Sequence, residues 1–125
     1  MKKITFFFIF WILVSCKYFN QIKSDEELTT KIEKEISNAK KSDSIDLQKL
    51  TNFEWNSYLI LGPYSTIEIE QEKYNVDLSN ISENGIEMTD YYYLLVFIKN
   101  KKSIKICELK KYGKFDQKKK LKPNR

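Results

Sequence analysis

Histidine is absent from the 125-residue chain, and that one gap removes a large share of solution chemistry. Without imidazole there is no histidine base, no imidazole metal ligand and no standard hydrolytic triad. Three glycines in all leave no phosphate-cradling loop. Two cysteines are too few for a cysteine zinc site. Carboxylates remain, and Glu54, Asp77, Glu87 and Asp90 keep a carboxylate-only hydrolase formally open, because a pair of acids suffices for glycosidic bonds. A domain of this size with a short sheet offers little cleft, so the chain reads as non-enzymatic, with no cofactor and no metal site.

What the chain has in abundance is a hydrophobic start. Lys2 and Lys3 precede an eleven-residue run from Ile4 to Val14, apolar apart from Thr5, and then come Ser15 and Cys16. These are the charged, hydrophobic and cleavage regions of a secretory signal peptide. A spanning helix needs about 20 apolar residues, so the run is too short for a permanent crossing. An uncleaved short anchor and a buried core element are the competing readings. Leu13-Val14-Ser15-Cys16 resembles the lipobox of bacterial lipoproteins. That resemblance implies cleavage before Cys16, a diacylglyceryl group on its thiol and further acylation of the palmitate kind. Two or more acyl chains hold a protein stably where one holds it marginally, so the expected partner is a membrane, reached through lipid at Cys16. Lys17 stands where many Gram-negative lipoproteins carry an aspartate that retains them in the inner membrane. Its presence implies an outer-membrane address, facing the periplasm or the cell surface.

Removal of residues 1–15 would leave 110 residues, enough for one domain with a modest core. Of the 22 basic and 17 acidic side chains, Lys2 and Lys3 would go, leaving 20 against 17. Residues 110–125 hold eight of those bases against Asp116, and residues 16–109 hold twelve against sixteen acids. The basic character therefore belongs to the C-terminus. Such a block reads as a solvated, partly disordered tail, with weak contact to anionic headgroups as the sharper alternative and no nucleic acid. With Cys16 acylated, Cys107 is left alone as a passive thiol, since nothing in sequence is placed to lower its pKa.

Residues 16–23 read as a lipid-bearing tether, 24–115 as a single domain and 116–125 as the basic tail. Ser24 with Glu27 three residues on forms a capping box, and Leu28, Ile32, Ile36 and Ala39 give the following helix a narrow apolar stripe. Trp55 to Leu61 reads as a strand stopped by Gly62-Pro63. Residues 66–74 satisfy both a period of two and helical spacing; a cap at Ser65 favours a short helix. Glu68, Glu70 and Glu72 then form a solvated acidic face rather than a cation site. Residues 75–90 are a polar loop turning at Asn84-Gly85, where a contact surface is expected. Tyr91 to Ile98 is a central strand and Ser103 to Lys110 its hairpin partner. Alternation in the latter puts Ile104 and Ile106 on one face, and Lys105, Cys107 and Leu109 on the other.

Phe53-x-Trp55-Asn56, then Leu59-Ile60-Leu61-Gly62-Pro63-Tyr64, then Leu95-Val96-Phe97-Ile98-Lys99-Asn100 resembles the signature of a group of small, uncharacterised bacterial lipoproteins and exported proteins. There it runs roughly Phe-Asp-Trp-Asp, aromatic-Gly-Pro-Tyr, Val-Phe-Val. The likeness spans residues 45 to about 110 and implies a family without assigned chemistry. Asn56 replaces a common acid.

These readings combine into an α+β fold: the N-terminal helix and a short second helix packed on a small, mainly antiparallel sheet of three or four strands. The expected role is a non-catalytic module of the cell envelope that binds another envelope protein or supports the envelope. A small-ligand-binding or inhibitory module using the Trp55 to Tyr64 edge and loop 75–90 is the alternative, and a carboxylate-dependent hydrolase the weakest. Trp55, Tyr58 and Tyr64 are the candidate interaction surface, against a plainer reading as core and rim packing.

Overall fold

The computed structural model describes residues 21–40 and 43–123. The signal segment, Cys16 and the start of the tether lie outside them.

The chain adopts the expected α+β architecture. Three antiparallel strands, β1 (Ser57–Leu61), β2 (Tyr93–Lys99) and β3 (Lys102–Leu109), lie in the order β1-β2-β3. β2 is central, and its residues Leu94 to Ile98 are all buried, which is why it reads as a continuous apolar run. Leu95 and Phe97 face one layer of core with Tyr58, Cys107 and Leu109; Leu94, Val96 and Ile98 face a second with Leu59, Leu61 and Ile106.

The first layer is closed by α1 (Glu26–Asn38), which lays Leu28 and Ile32 on it, with Ile36 and Ala39 at the margin. Fully burying an aliphatic side chain of this size contributes about 1.5 to 3 kcal/mol, so this stripe holds the helix to the sheet. The cap is Asp25, one residue later than the capping box predicts: its carboxylate accepts the Leu28 N–H at 3.0 Å. Ser24 is committed elsewhere, bridged to Ile106 on the free edge of β3 and accepting the Glu108 N–H at 2.9 Å. A single turn, α2 (Leu47–Leu50), completes this layer.

The second layer is covered by α3 (Ile67–Tyr74) and by the chain behind it. The helical choice for 66–74 holds, but the Ser65 hydroxyl donates to the Gly62 carbonyl instead of capping, and the Ile67 N–H is taken by a Glu87 carboxylate oxygen at 2.8 Å. The polar loop that follows contains two 3-10 turns, Ser79–Ile81 and Gly85–Met88, and buries Leu78, Ile81 and Ile86.

One expectation for β3 fails. The register slips between Phe97 and Ile98, so that Phe97 pairs with Lys105 and Ile98 with Ser103, leaving Ile104 as a bulge. The extra residue reverses the parity of the strand. Ile106 points into the second layer while Ile104 packs at the edge of the first. Asn100 and Lys101, both at positive φ, make the two-residue turn whose twist suits such a hairpin.

The C-terminal segment also departs from the reading as a solvated tail. Phe115 bridges Ile45, and Lys120 bridges Tyr58 on the outer edge of β1. The Tyr58 N–H donates to the Lys119 carbonyl at 2.9 Å, and its carbonyl accepts the Leu121 N–H at 2.8 Å. Leu121 packs against the second layer. No helix among the described residues is long and apolar enough to cross a membrane.

Candidate functional site

The aromatic signature folds inward. Phe53 and Trp55 meet the Phe97 ring edge-on at 5.2 and 5.1 Å, and Tyr58 links Trp55 to Phe115 at 6.2 Å on each side. Pairs of this geometry add about 0.5 to 1.5 kcal/mol beyond their burial. The polar handles are satisfied as well: the Trp55 indole N–H donates to Thr51 Oγ1 at 2.9 Å, and the Tyr58 hydroxyl donates to the Asp116 carbonyl at 2.6 Å. Burial, with Asp116 nearby, pushes the Tyr58 phenol up to about 12. Asn56, the departure from the signature, accepts the Asn100 N–H at 2.7 Å and so ties β1 to the hairpin turn.

Trp55, Tyr58 and Tyr64 therefore do not share a surface. Trp55 and Tyr58 are core residues, whereas Tyr64 stands 62% exposed beyond the other end of β1. The cavity beside Trp55 and Tyr58, bounded by Asp46, Lys118 and Lys119, holds about 120 Å³, and a more open hollow of about 540 Å³ lies on the other side of Trp55, lined by Thr51, Glu54, Lys99 and Lys119. Pockets for small organic ligands usually begin at about 300 Å³.

The candidate acids are dispersed. Glu54 pairs with Lys99 at 3.0 Å on the surface, Asp77 accepts from Ser79, and Glu87 caps α3. Glu68 and Glu72, one turn apart, line an open groove with Asp77 and Lys101. Hydrogen bonds from Ser79 hold the Asp77 carboxyl below its ordinary value, and the Leu28 N–H and Lys105 do the same for Asp25. A general acid at neutral pH requires the opposite displacement. Among the described residues no group of three or more acids and cysteines is placed to hold a metal ion. Cys107 is buried, and burial pushes its thiol up to about 11, away from the reactive thiolate.

Of the five large apolar side chains exposed among the described residues, Ile69 lies on α3 and the other four lie towards one end of the sheet, where β1 ends and β2 begins. Tyr64 follows β1, Met88 and Tyr91 precede β2, and Tyr112 follows β3; they are 62, 88, 82 and 67% exposed. Tyr64 donates its N–H to the Ile86 carbonyl, and the Tyr112 ring meets the Tyr93 ring edge-on at 5.3 Å. The loop 75–90, expected to carry a contact surface, contributes Met88. Tyr91, read from sequence as the first residue of the central strand, instead lies two residues before β2 and is exposed, and Tyr112 lies beyond the end of β3.

Compared with known proteins, the chain matches no family model, no curated protein and no solved structure.

Proposed function

We propose that this is a lipid-anchored protein of the bacterial cell envelope, held in the outer membrane through acylated Cys16, that acts as a non-catalytic protein-interaction or envelope-support module. The observation that carries the interaction reading is the group Tyr64, Met88, Tyr91 and Tyr112, large apolar side chains left in solvent at one end of the sheet. Tyrosine and methionine are enriched at the centres of protein interfaces, and four such side chains exposed at one end of a small domain supply the kind of surface those contacts use. The signal-like run and Leu13-Val14-Ser15-Cys16 support the anchor.

Two measurements test this. Intact-mass analysis of membrane-extracted protein should find an acyl increment that Cys16→Ala lacks; an unmodified wild type removes the anchor. Crosslinking of the native lipidated protein should recover one stoichiometric envelope protein through the tyrosine end. A clean monomer under the same conditions removes the interaction role.

A further inference from the structure

The two outer edges of the sheet are covered to different extents. Along β3 neighbouring segments occupy the edge: the Ser103 N–H donates to the Asp77 carbonyl at 3.1 Å, the Ile106 carbonyl accepts the Asp25 N–H at 2.9 Å, and the Glu108 N–H is held by Ser24. Along β1 the C-terminal segment covers one residue, Tyr58, and then leaves. Outward-facing main chain recurs at every second residue of a strand, so the next such groups are the N–H and C=O of Ile60, and no described residue bonds to either. The C-terminal segment cannot continue in step with the strand. The position that would donate to the Ile60 carbonyl is Pro123, which has no N–H.

Open space and backbone strain coincide just beyond Ile60. A Cβ built on Gly62 meets no atom within 4 Å, so the flank of the chain is clear there. Gly62-Pro63-Tyr64-Ser65 then turns, with the Ser65 N–H on the Gly62 carbonyl at 3.2 Å and Tyr64 at φ 64°. Positive φ at the third position of such a turn favours glycine or asparagine, and a bulky side chain there costs free energy. Burial does not offset that cost, since the Tyr64 side chain is 62% exposed. Strain kept at an outward-facing residue points to a use outside the fold.

We infer that the open end of the β1 edge, Ile60 with Tyr64 beyond it, receives an extended segment of the partner protein, which pairs its main chain with Ile60 and packs an apolar side chain on the Tyr64 ring. This deepens the interaction role proposed above and rests on it. Unpaired N–H and C=O groups on a strand edge recognise another extended chain by strand addition, and an aromatic beside the edge supplies the side-chain contact. The described terminal segments of this chain are engaged elsewhere: the N-terminal one lies along β3, and the C-terminal one turns off to pack Leu121 on the second layer. A second copy is shut out as well. Pairing two β1 edges through Ile60 brings the copy's Gly62 or Tyr64 into the place beside Tyr58 that Lys120 already fills.

The full-length lipidated protein, with benzoylphenylalanine in place of Gly62 or of Met88, is irradiated in cells and its crosslinks are mapped by mass spectrometry. Strand addition predicts that position 62 crosslinks to one extended segment of one envelope protein. When wild-type protein is mixed with that partner, hydrogen exchange of the Ile60 amide slows by at least about tenfold. Tyr64→Asn suits the turn and removes the ring, so it unfolds at the same urea concentration as wild type or a higher one, while its crosslink yield falls by about tenfold. Ile60 exchange that is unchanged by the partner overturns strand addition and leaves the interaction role standing, as does a crosslink from position 62 to a second copy of this chain. A less stable Tyr64→Asn overturns the reading of Tyr64 as a strained contact residue. Capture from position 88 without capture from 62 overturns the placement at β1, and capture from neither removes the interaction role itself.

Discussion

At the scale of single residues, two contacts fix how α1 sits on the sheet. Gly113 is one: a Cβ there would stand 2.7 Å from Ile36 Cγ1 and 2.9 Å from Cδ1, closer than carbon atoms approach. Gly113→Ala should cost about 1 to 3 kcal/mol by overpacking. In an Ile36→Ala background the same change should cost less, and a double-mutant cycle by urea unfolding measures the difference. Asp25 is the other, capping α1 and pairing with Lys105 at 2.9 Å. The Leu28 N–H, then Lys105, hold its carboxyl lower in the folded protein than in the unfolded chain, so its charge stabilises above the unfolded value and that contribution fades as pH falls through the folded one. Asp25→Asn keeps a capping oxygen and loses the charge. It should be less stable than wild type at pH 7, with the gap closing below about pH 4 in thermal melts across pH. Neither contact is legible in sequence, where Ser24 offers an equally good cap and nothing marks Gly113, because both depend on what lies across the sheet.

At the scale of elements, periodicity identified what side chains decide and missed what main-chain bonds decide. α1 and β2 announce themselves through the stripe from Leu28 to Ala39 and the run from Leu94 to Ile98, since burial selects those residue types. The bulge at Ile104 leaves no such mark; it shifts a register and so moves Ile106 to the other face. The segment Lys119 to Leu121 is hidden for the same reason: its lysines describe a solvated tail, while its backbone bonds close the edge of β1 at Tyr58. Deleting residues 119–125 removes those two bonds and the Leu121 contact, and should cost about 2 kcal/mol. It also uncovers an unpaired strand edge, so size-exclusion chromatography should show concentration-dependent association that the intact chain lacks.

At the scale of the whole molecule, the two ends of the sheet differ, one with the β2–β3 turn and the C-terminal segment, the other with exposed tyrosines and Met88. Because Met88 and Tyr91 contribute little to the core, Met88→Asp/Tyr91→Asp should leave stability within about 0.5 kcal/mol of wild type. The same variant should lose the envelope crosslink, and retention of that crosslink would place the partner elsewhere. The residues of the resembled signature pack inward in this chain: Phe53 and Trp55 each meet Phe97 edge-on, and Asn56 holds the hairpin turn. By itself the sequence determined the α+β class, the two longer helices, the strand order along the chain and the inert character of Cys107, because each is carried by the burial preference of contiguous residues. Only the tertiary structure decided which aromatics are core and which are surface, and that the basic segment lies along β1. Those outcomes depend on register and on main-chain pairing between distant segments, and such pairing imposes no pattern on the side chains that read out the sequence.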